Sequence, residues 1–340
     1  MNKLIKIILG TTSLFSIVFA ALVVQAGGWD NFKLRYFHLT AALHNQDQEL
    51  ADLHKKEIDP TKYSRINLTE LINGGPPKDG IPSIDNPQFD TVQTTTFPAE
   101  EIVIGVVING EAKAYPYGIM NWHELVNDTV GDVNISVSYC PLCDTTIAFE
   151  RGETTFGVSG KLYQSCLVMF DRSNDTLYSQ PWAMGIVGAK VNHHLQRLPI
   201  VKTTLGAWLA QYPNSKILST ETGYRRDYQN YPYGSYYTDE QLVFPVRNQD
   251  SRKLHPKTIV SYIWEHDDNT PQNKFSGANQ QFIHTEIRQK GEQLIDFNGR
   301  KVKAIWDKNL GTVVVKELDG MIIPSSTAFS FVYPAYFEQN

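Results

Sequence analysis

Two cysteines separated by two residues, Cys140 and Cys143, carry the most specific chemistry in this sequence. Thiols at this spacing suit three kinds of site: half of a tetrahedral metal site, a reversible dithiol and disulfide pair, or a nucleophilic thiolate beside its resolving partner. The spacing alone does not choose among them. A structural zinc ribbon would need a second Cys-x-x-Cys pair, and the sequence has none, which excludes that site.

Side chains that could assist the two thiols lie close to them in the chain. His123 is a candidate third metal ligand or proton acceptor, because imidazole fills both roles beside thiolates. The predicted catalytic residues are Cys140, Cys143, His123, Glu124 and Asp128, the predicted metal ligands are Cys140, Cys143 and His123, and Asp144 is a further supporting carboxylate. Copper or zinc suits sulfur and imidazole ligands best.

The elements that position the thiols are predicted to form a β-hairpin. Apolar and polar residues alternate over residues 133–139, so Cys140 ends a half-buried strand on its polar face. Pro141 forces a turn and residues 145–150 resume a strand, which places both sulfurs at the hairpin tip. A thioredoxin-like site is disfavoured, because its cysteine pair opens a helix. Cys166 has alternating apolar neighbours, which favours a core position over a third sulfur ligand.

Turn signals elsewhere indicate more hairpins. Asn109-Gly110 separates two strand-like runs, and Asn298-Gly299 and Asp319-Gly320 have similar flanks. Short helices are predicted over residues 118–127 and 205–212 from apolar residues three and four positions apart. The sequence therefore predicts an α+β fold of mostly antiparallel β hairpins with a few short helices, in one large domain or two intimate halves.

The N-terminus has the layout of an export signal. Two lysines precede an apolar run over residues 7–24, and small residues close the segment that ends at residue 26. Residues 1–26 are therefore a signal peptide or, since the run approaches the roughly 20 residues that span a bilayer, an N-terminal membrane anchor. We predict a polar helical spacer over residues 27–73 and the main β-rich domain, which carries the cysteine hairpin, over residues 74–340.

The composition limits the partners of this chain. Hydrophobic residues make up 41% of the sequence and charged residues 20%, which is typical of a globular protein with a real core. The net charge of -5 and the scattered lysines and arginines exclude nucleic-acid binding. We expect a small molecule or a metal ion as partner, and contact with a membrane only through the N-terminal segment.

Several motifs together resemble one bacterial family. They are Pro77-Lys78-Asp79-Gly80-Ile81-Pro82, Gly110-Glu111-Ala112-Lys113-Ala114-Tyr115-Pro116, Asn121-Trp122-His123-Glu124-Leu125-Val126-Asn127-Asp128, Tyr139-Cys140-Pro141-Leu142-Cys143, Phe156-Gly157-Val158-Ser159-Gly160 and Asp171-Arg172. This set is similar to the domain of unknown function 3179. The resemblance implies an envelope-associated bacterial protein and brings no activity with it. Asp144 and Cys166 depart from the family pattern, which places Cys166 outside the shared site.

Three functions fit these observations. The leading hypothesis is an exported envelope protein whose thiolate-centred site binds a soft transition metal, copper or zinc, or uses it in redox chemistry. The first alternative is a metal-free thiol enzyme in which His123 activates a cysteine against a disulfide, a peroxide or an electrophile. The second is a non-catalytic binding protein that uses a tyrosine-rich cleft, built from residues 223–244.

Export is tested by a topology reporter fused after Asn340. Because the lysines stay cytoplasmic while the apolar run inserts, we expect periplasmic alkaline phosphatase activity and no cytoplasmic fluorescence from the matched green fluorescent protein fusion. A fusion that is active only in the cytoplasm would contradict the predicted location.

Overall fold

The computed structural model describes residues 64–248, 254–267 and 275–338 of the chain. The predicted leader and most of the predicted spacer lie outside the described residues. The described part is rich in β-strands, and its helices are few and short. None of those helices is long and apolar enough to cross a bilayer.

Twenty strands occur in the described residues. They are β1 (Leu71–Asn73), β2 (Phe89–Asp90), β3 (Ile102–Ile108), β4 (Glu111–Pro116), β5 (Leu125–Val130), β6 (Val133–Cys140), β7 (Thr145–Glu150), β8 (Phe156–Tyr163), β9 (Cys166–Asp171), β10 (Leu177–Ser179), β11 (Met184–Val187), β12 (Arg197–Leu198), β13 (Val201–Thr204), β14 (Lys216–Leu218), β15 (Ile259–Trp264), β16 (Asn279–Ile283), β17 (Glu292–Phe297), β18 (Arg300–Asp307), β19 (Thr312–Glu317) and β20 (Ser326–Phe329). The α-helices are α1 (Tyr117–His123), α2 (Leu205–Gln211), α3 (His284–Lys290) and α4 (Val332–Tyr336), and a 3-10 turn covers Leu68–Glu70.

These strands form five sheets. Their strand orders are β1-β8-β9-β10-β11, β12-β7-β6-β5, β13-β3-β4-β14-β2, β16-β15-β20 and β17-β18-β19. Every pairing between named strands is antiparallel except the one between β14 and β4. The prediction of a mostly β, antiparallel α+β fold is confirmed at this level.

The β-rich body includes residues before position 74. Strand β1 pairs with β8 through Leu71 and Tyr163, and Ser64 forms an isolated bridge with Val187. The turn-rich segment that follows β1 is therefore a loop within the body.

The predicted two-residue turns have the backbone that such turns require. Both residues of Asn109-Gly110, between β3 and β4, have positive φ angles, as do both residues of Asn298-Gly299, between β17 and β18. The third turn, at Asp319-Gly320, follows β19 and leads only to an isolated bridge between Lys316 and Ile322.

One predicted helix is shorter than expected. Helix α1 ends before Glu124, which adopts a left-handed φ of 59° and donates its backbone N–H to the carbonyl of Met120 at 2.9 Å. Strand β5 follows at once, so Asp128 lies on a strand instead of on the helix predicted over residues 118–127. The helix predicted over residues 205–212 is confirmed by α2.

Strand β6, which ends at Cys140, is buried on both faces rather than on one. The face predicted to be polar carries Ser136 and Ser138, whose hydroxyls find protein partners. Ser136 donates to the side chain of Asn127 at 2.6 Å, and Ser138 accepts from the amide of Gln180 at 2.9 Å. The polar face of β6 can therefore be buried, because the hydroxyls of Ser136 and Ser138 have hydrogen-bond partners inside the protein.

A buried ion pair joins β4 to β5. The ammonium of Lys113 lies 3.0 Å from both carboxylate oxygens of Asp128, and each side chain is 7% exposed. The Tyr115 hydroxyl donates to Asp128 at 2.7 Å, and Lys113 also donates to the carbonyl of Thr129 at 2.8 Å. The structure thus places the predicted catalytic carboxylate Asp128 in a satisfied structural network.

We expect Asp128→Ala to lower the free energy of unfolding by about 3 to 5 kcal/mol, because it leaves the Lys113 ammonium buried without its counter-ion. Urea unfolding provides the measurement. The matched control is Glu286→Ala, which removes the exposed partner of Lys290 and should cost about 0 to 1 kcal/mol. Equal losses in the two variants would contradict the structural role of Asp128.

Candidate functional site

The two cysteines occupy the turn between β6 and β7, as the sequence predicts. The backbone N–H of Cys143 donates to the carbonyl of Cys140 at 3.3 Å, which closes the turn. Asp144 completes the connection with a φ of 52°. The carbonyl of Cys143 accepts from the N–H of Phe329 at 2.9 Å, and the carbonyl of Leu142 accepts from the Tyr236 hydroxyl at 2.7 Å. Two distant parts of the chain therefore hold the turn in place.

Three thiols meet at this turn. The thiol of Cys143 lies close enough to those of Cys140 and of Cys166, which begins β9, to shift their pKa values. All three cysteines are free, and each is at most 1% exposed. The Thr145 hydroxyl lies beside Cys143 and Cys166, but it makes no hydrogen bond of full geometry. The site is thus a closed group of sulfurs rather than an exposed cysteine pair.

Burial keeps these sulfurs in the thiol form. It raises the pKa of Cys140 and of Cys143 well above the ordinary range, and it also raises the pKa of Cys166. Neighbouring donors act in the opposite direction at each thiol. The backbone N–H of Leu167 lowers the pKa of Cys140, the Thr145 hydroxyl lowers those of Cys143 and Cys166, and the Tyr336 hydroxyl also lowers that of Cys166.

Glu124 is a buried carboxyl group close enough to Cys140 to raise the pKa of that thiol. Its left-handed backbone at the end of α1 turns the side chain into the interior, where it is 7% exposed and accepts from the Tyr233 hydroxyl at 3.3 Å. Burial raises the pKa of Glu124 to about 8. A carboxyl group with a pKa near neutrality can both accept and return a proton under physiological conditions.

A small pocket opens on the other side of Glu124. Its volume is about 120 Å³, and its lining is mostly apolar. The residues that form it include Ile81, Val158, Leu162, Leu167 and Tyr233. Glu124 and the buried Lys161 also line this pocket, whereas none of the three cysteines does.

His123 has partners other than the thiols. Its Nδ1 lies 2.7 Å from the carbonyl of Pro82, and its Nε2 lies 2.8 Å from the hydroxyl of Tyr228. Burial lowers its pKa, which favours a neutral ring that donates from Nδ1 and accepts at Nε2. The predicted role of His123 as ligand or base stays a prediction, and both of its ring nitrogens are already engaged.

Asp144 holds the far end of the thiol turn. Its carboxylate pairs with Lys202 on β13 and accepts from the Tyr117 hydroxyl at 3.2 Å. Lys202 lies on β13 and Tyr117 begins α1, so both partners belong to neighbouring elements. Asp144 therefore fixes the turn against the adjacent sheet instead of facing solvent.

Residues 223–244, here called the tyrosine strap, cover the thiol turn without forming a strand or a helix. The rings of Tyr231 and Tyr237 stack with centroids 4.3 Å apart. Lys257 fastens the strap, because its ammonium donates to the carbonyls of Tyr236, Asp239 and Gln241 and lies 3.6 Å from the Tyr236 ring centroid. The predicted tyrosine-rich cleft is thus a cover over the cysteines.

No group of three or more histidine, cysteine, aspartate or glutamate side chains within the described residues is arranged to hold a metal ion. Copper or zinc binding at this turn stays a prediction.

One protein family matches residues 78–321 of the sequence and is described as a protein of unknown function (DUF3179). The match covers more than half of the sequence. The chain belongs to this family. No curated protein and no solved structure matches the chain. The DUF3179 region contains all three cysteines, Glu124 and the tyrosine strap.

Sequence reasoning missed two members of the site. Cys166 was expected in the core and is buried there, but it also contacts Cys143. Nothing in the sequence distinguishes Tyr233 from the other tyrosines of residues 223–244, although its hydroxyl donates to Glu124. The odd number of cysteines is the signal that could have pointed to Cys166.

The pKa of Glu124 generates a prediction about stability. Folding raises it from 4.5 to about 8, so the folded state binds the extra proton between these values and the free energy of unfolding falls as pH rises through that window. The free energy of unfolding of Glu124→Gln should not fall in this window. The variant should therefore be more stable than wild type above pH 8, and the difference in stability between the two proteins should shrink towards pH 5.

Urea unfolding of both proteins across this pH range provides the measurement. The matched control is Glu153→Gln at an exposed glutamate, which should keep the pH dependence of wild type. Parallel pH profiles of wild type and Glu124→Gln would contradict the assignment.

Proposed function

We propose that this protein is an exported thiol–disulfide redox protein of the bacterial cell envelope, in which Cys140 and Cys143 interconvert between a dithiol and a disulfide. The observation that supports the proposal is the closeness of the two thiols within one closed turn, with Glu124 near enough to raise the pKa of Cys140. An export leader would deliver the pair to a compartment where disulfides persist.

Glu124 supplies the proton transfer that thiol chemistry needs in a buried site. Ionised Glu124 accepts the proton of Cys140, and the N–H of Leu167 stabilises the thiolate that forms. When the disulfide is reduced again, protonated Glu124 returns the proton to the departing sulfur of Cys140. A pKa of about 8 leaves both forms populated near neutral pH.

Cys143 is the resolving thiol in this proposal. It contacts Cys140, and the closed turn already holds the two residues together. Cys166 contacts Cys143 from the neighbouring sheet and offers a third thiol to the same pair. A cysteine that acts alone as a nucleophile depends on exposure and on a low thiol pKa. In this proposal the closeness of Cys143 to Cys140 takes the place of both properties.

The soft-metal hypothesis is a second candidate because a third sulfur lies at the site. Copper or zinc would use Cys140, Cys143 and Cys166, with the thiols losing their protons and moving apart around the ion. In this arrangement Cys166 takes the place that the sequence assigned to His123.

The redox proposal predicts a reversible loss of two thiols. Wild type should form a Cys140–Cys143 disulfide when it is brought to equilibrium with buffers of oxidised and reduced dithiothreitol, because the two sulfurs are already in contact. Acid quenching, alkylation and peptide mass spectrometry measure each cysteine. Cys143→Ser should abolish the disulfide, and Cys166→Ser, the matched buried control, should retain it.

Three free thiols at every buffer ratio would overturn the redox proposal. Metal analysis of the same proteins, purified without chelator, distinguishes the second candidate. Stoichiometric copper or zinc that is lost alike in the three single serine variants would replace the dithiol proposal with the metal site.

A further inference from the structure

All three thiols are covered, so a redox partner can reach the sulfurs only if part of the cover moves. Cys140, Cys143 and Cys166 are each at most 1% exposed. Thiol–disulfide exchange requires direct attack of one sulfur on another. The cover includes β9, β20 and the tyrosine strap. The segment that opens first is the one with the weakest attachment to the rest of the fold.

Two of these segments are held by the hydrogen bonds of sheets. Strand β9 pairs with β8 on one side and with β10 on the other. Strand β20 pairs with β15 over its four residues, from Ser326 to Phe329. Opening either strand would break several backbone hydrogen bonds and expose a packed core, which makes such an opening close to unfolding of the whole region.

The tyrosine strap is attached in a different way, through side chains. Within residues 64–248, 254–267 and 275–338, no backbone–backbone hydrogen bond joins the strap to another element. Its own backbone bonds are local turns, such as the one from the N–H of Tyr236 to the carbonyl of Tyr233 at 3.2 Å. Attachments near the thiols include the ammonium of Lys257 and the Tyr236 hydroxyl, which donates to the carbonyl of Leu142 at 2.7 Å. The strap can therefore lift without breaking a sheet.

The closed position of the strap also has an energetic cost. The hydroxyls of Tyr231 and Tyr237 are buried and find no hydrogen-bond partner among the described residues. Water would satisfy both hydroxyls if the strap lifted, so their burial favours the open state. Burial, with Asp144 and Cys140 nearby, raises the pKa of Tyr231, which places this unsatisfied part of the strap over the thiol turn.

We propose that the tyrosine strap is the gate of the thiol site, which lifts while the sheets stay folded and so admits the redox partner to Cys140 and Cys143. The inference rests on the proposed dithiol function and assigns the step that controls access to it. Sealed thiols, attachment by side chains and two unsatisfied hydroxyls carry the proposal. Loop lids of enzymes open in this way while their scaffold stays folded.

Loss of one tyrosine hydroxyl tests the gate in two opposite directions. The measured quantity is the rate at which iodoacetamide modifies Cys140 and Cys143 in reduced, folded protein, followed by peptide mass spectrometry. Tyr236→Phe should speed this labelling about 5-fold, because the closed strap loses its hydrogen bond to Leu142. Tyr231→Phe should slow it about 5-fold, because the closed strap no longer buries an unsatisfied hydroxyl. Each variant is the control for the other, since both lose the same atom.

Asp128→Ala separates opening of the strap from unfolding of the whole protein. The partners of Asp128 include Lys113 and Tyr115, which lie on β4 outside the strap. With the strap as the gate, this variant should label within about 2-fold of the wild-type rate, although its fold is less stable. If labelling required global unfolding, the same loss of stability would speed labelling more than about 100-fold.

Hydrogen exchange measured by mass spectrometry gives a second readout. The amides of the strap should exchange about 5-fold faster in Tyr236→Phe and about 5-fold slower in Tyr231→Phe. The amides of β6 and β9 should keep their wild-type rates in both variants, because the sheets do not open with the strap.

Equal labelling rates in the two phenylalanine variants, or fastest labelling in Asp128→Ala, would overturn the gate. The dithiothreitol experiment tests the dithiol function separately, because it measures an equilibrium between oxidised and reduced protein instead of a rate of access. A reversible Cys140–Cys143 disulfide, with labelling that follows global stability, removes only the gate. Strap-dependent labelling without a reversible disulfide overturns the dithiol function and leaves a cover that opens over inactive thiols.

Discussion

Exclusion of water from three neighbouring thiols is the constraint on which the surrounding structure depends. In such a place each polar group must either find a protein partner or remain neutral. The serines of β6 find partners in the side chains of Asn127 and Gln180. Glu124 remains largely neutral, since burial raises its pKa to about 8. The raised pKa values of the thiols and of Glu124 therefore follow from the closure of the site.

The closure is built from segments far apart in the sequence. Strand β9 brings Cys166, the tyrosine strap covers the turn, and β20 binds the carbonyl of Cys143 through Phe329. Helix α4 adds Tyr336, a ring that is fully buried beside Cys166. The three cysteines consequently lie where several sheets pack together. Their geometry depends on the whole fold instead of on the Cys-x-x-Cys turn alone.

Local sequence signals predicted local structure well. The cysteine hairpin and the Asn-Gly turns were predicted because alternation and turn residues act over a few positions. The burial of the polar face of β6 was not predicted, because it depends on partners such as Gln180, some 40 positions away in sequence. The choice between His123 and Glu124 was also beyond the pattern. A left-handed residue at Glu124 ends the helix there and gives two adjacent side chains different surroundings.

The distribution of the cover along the chain bears on the order of folding. The hairpin with Cys140 and Cys143 is synthesised long before Lys257, which fastens the strap, and before Phe329, which binds the turn. N-terminal parts of a chain can form structure before the rest is made. The sulfurs are thus accessible to oxidants and reductants before the C-terminal segments dock. Docking slows this exchange, so the unfinished chain equilibrates with its surroundings faster than the folded protein does.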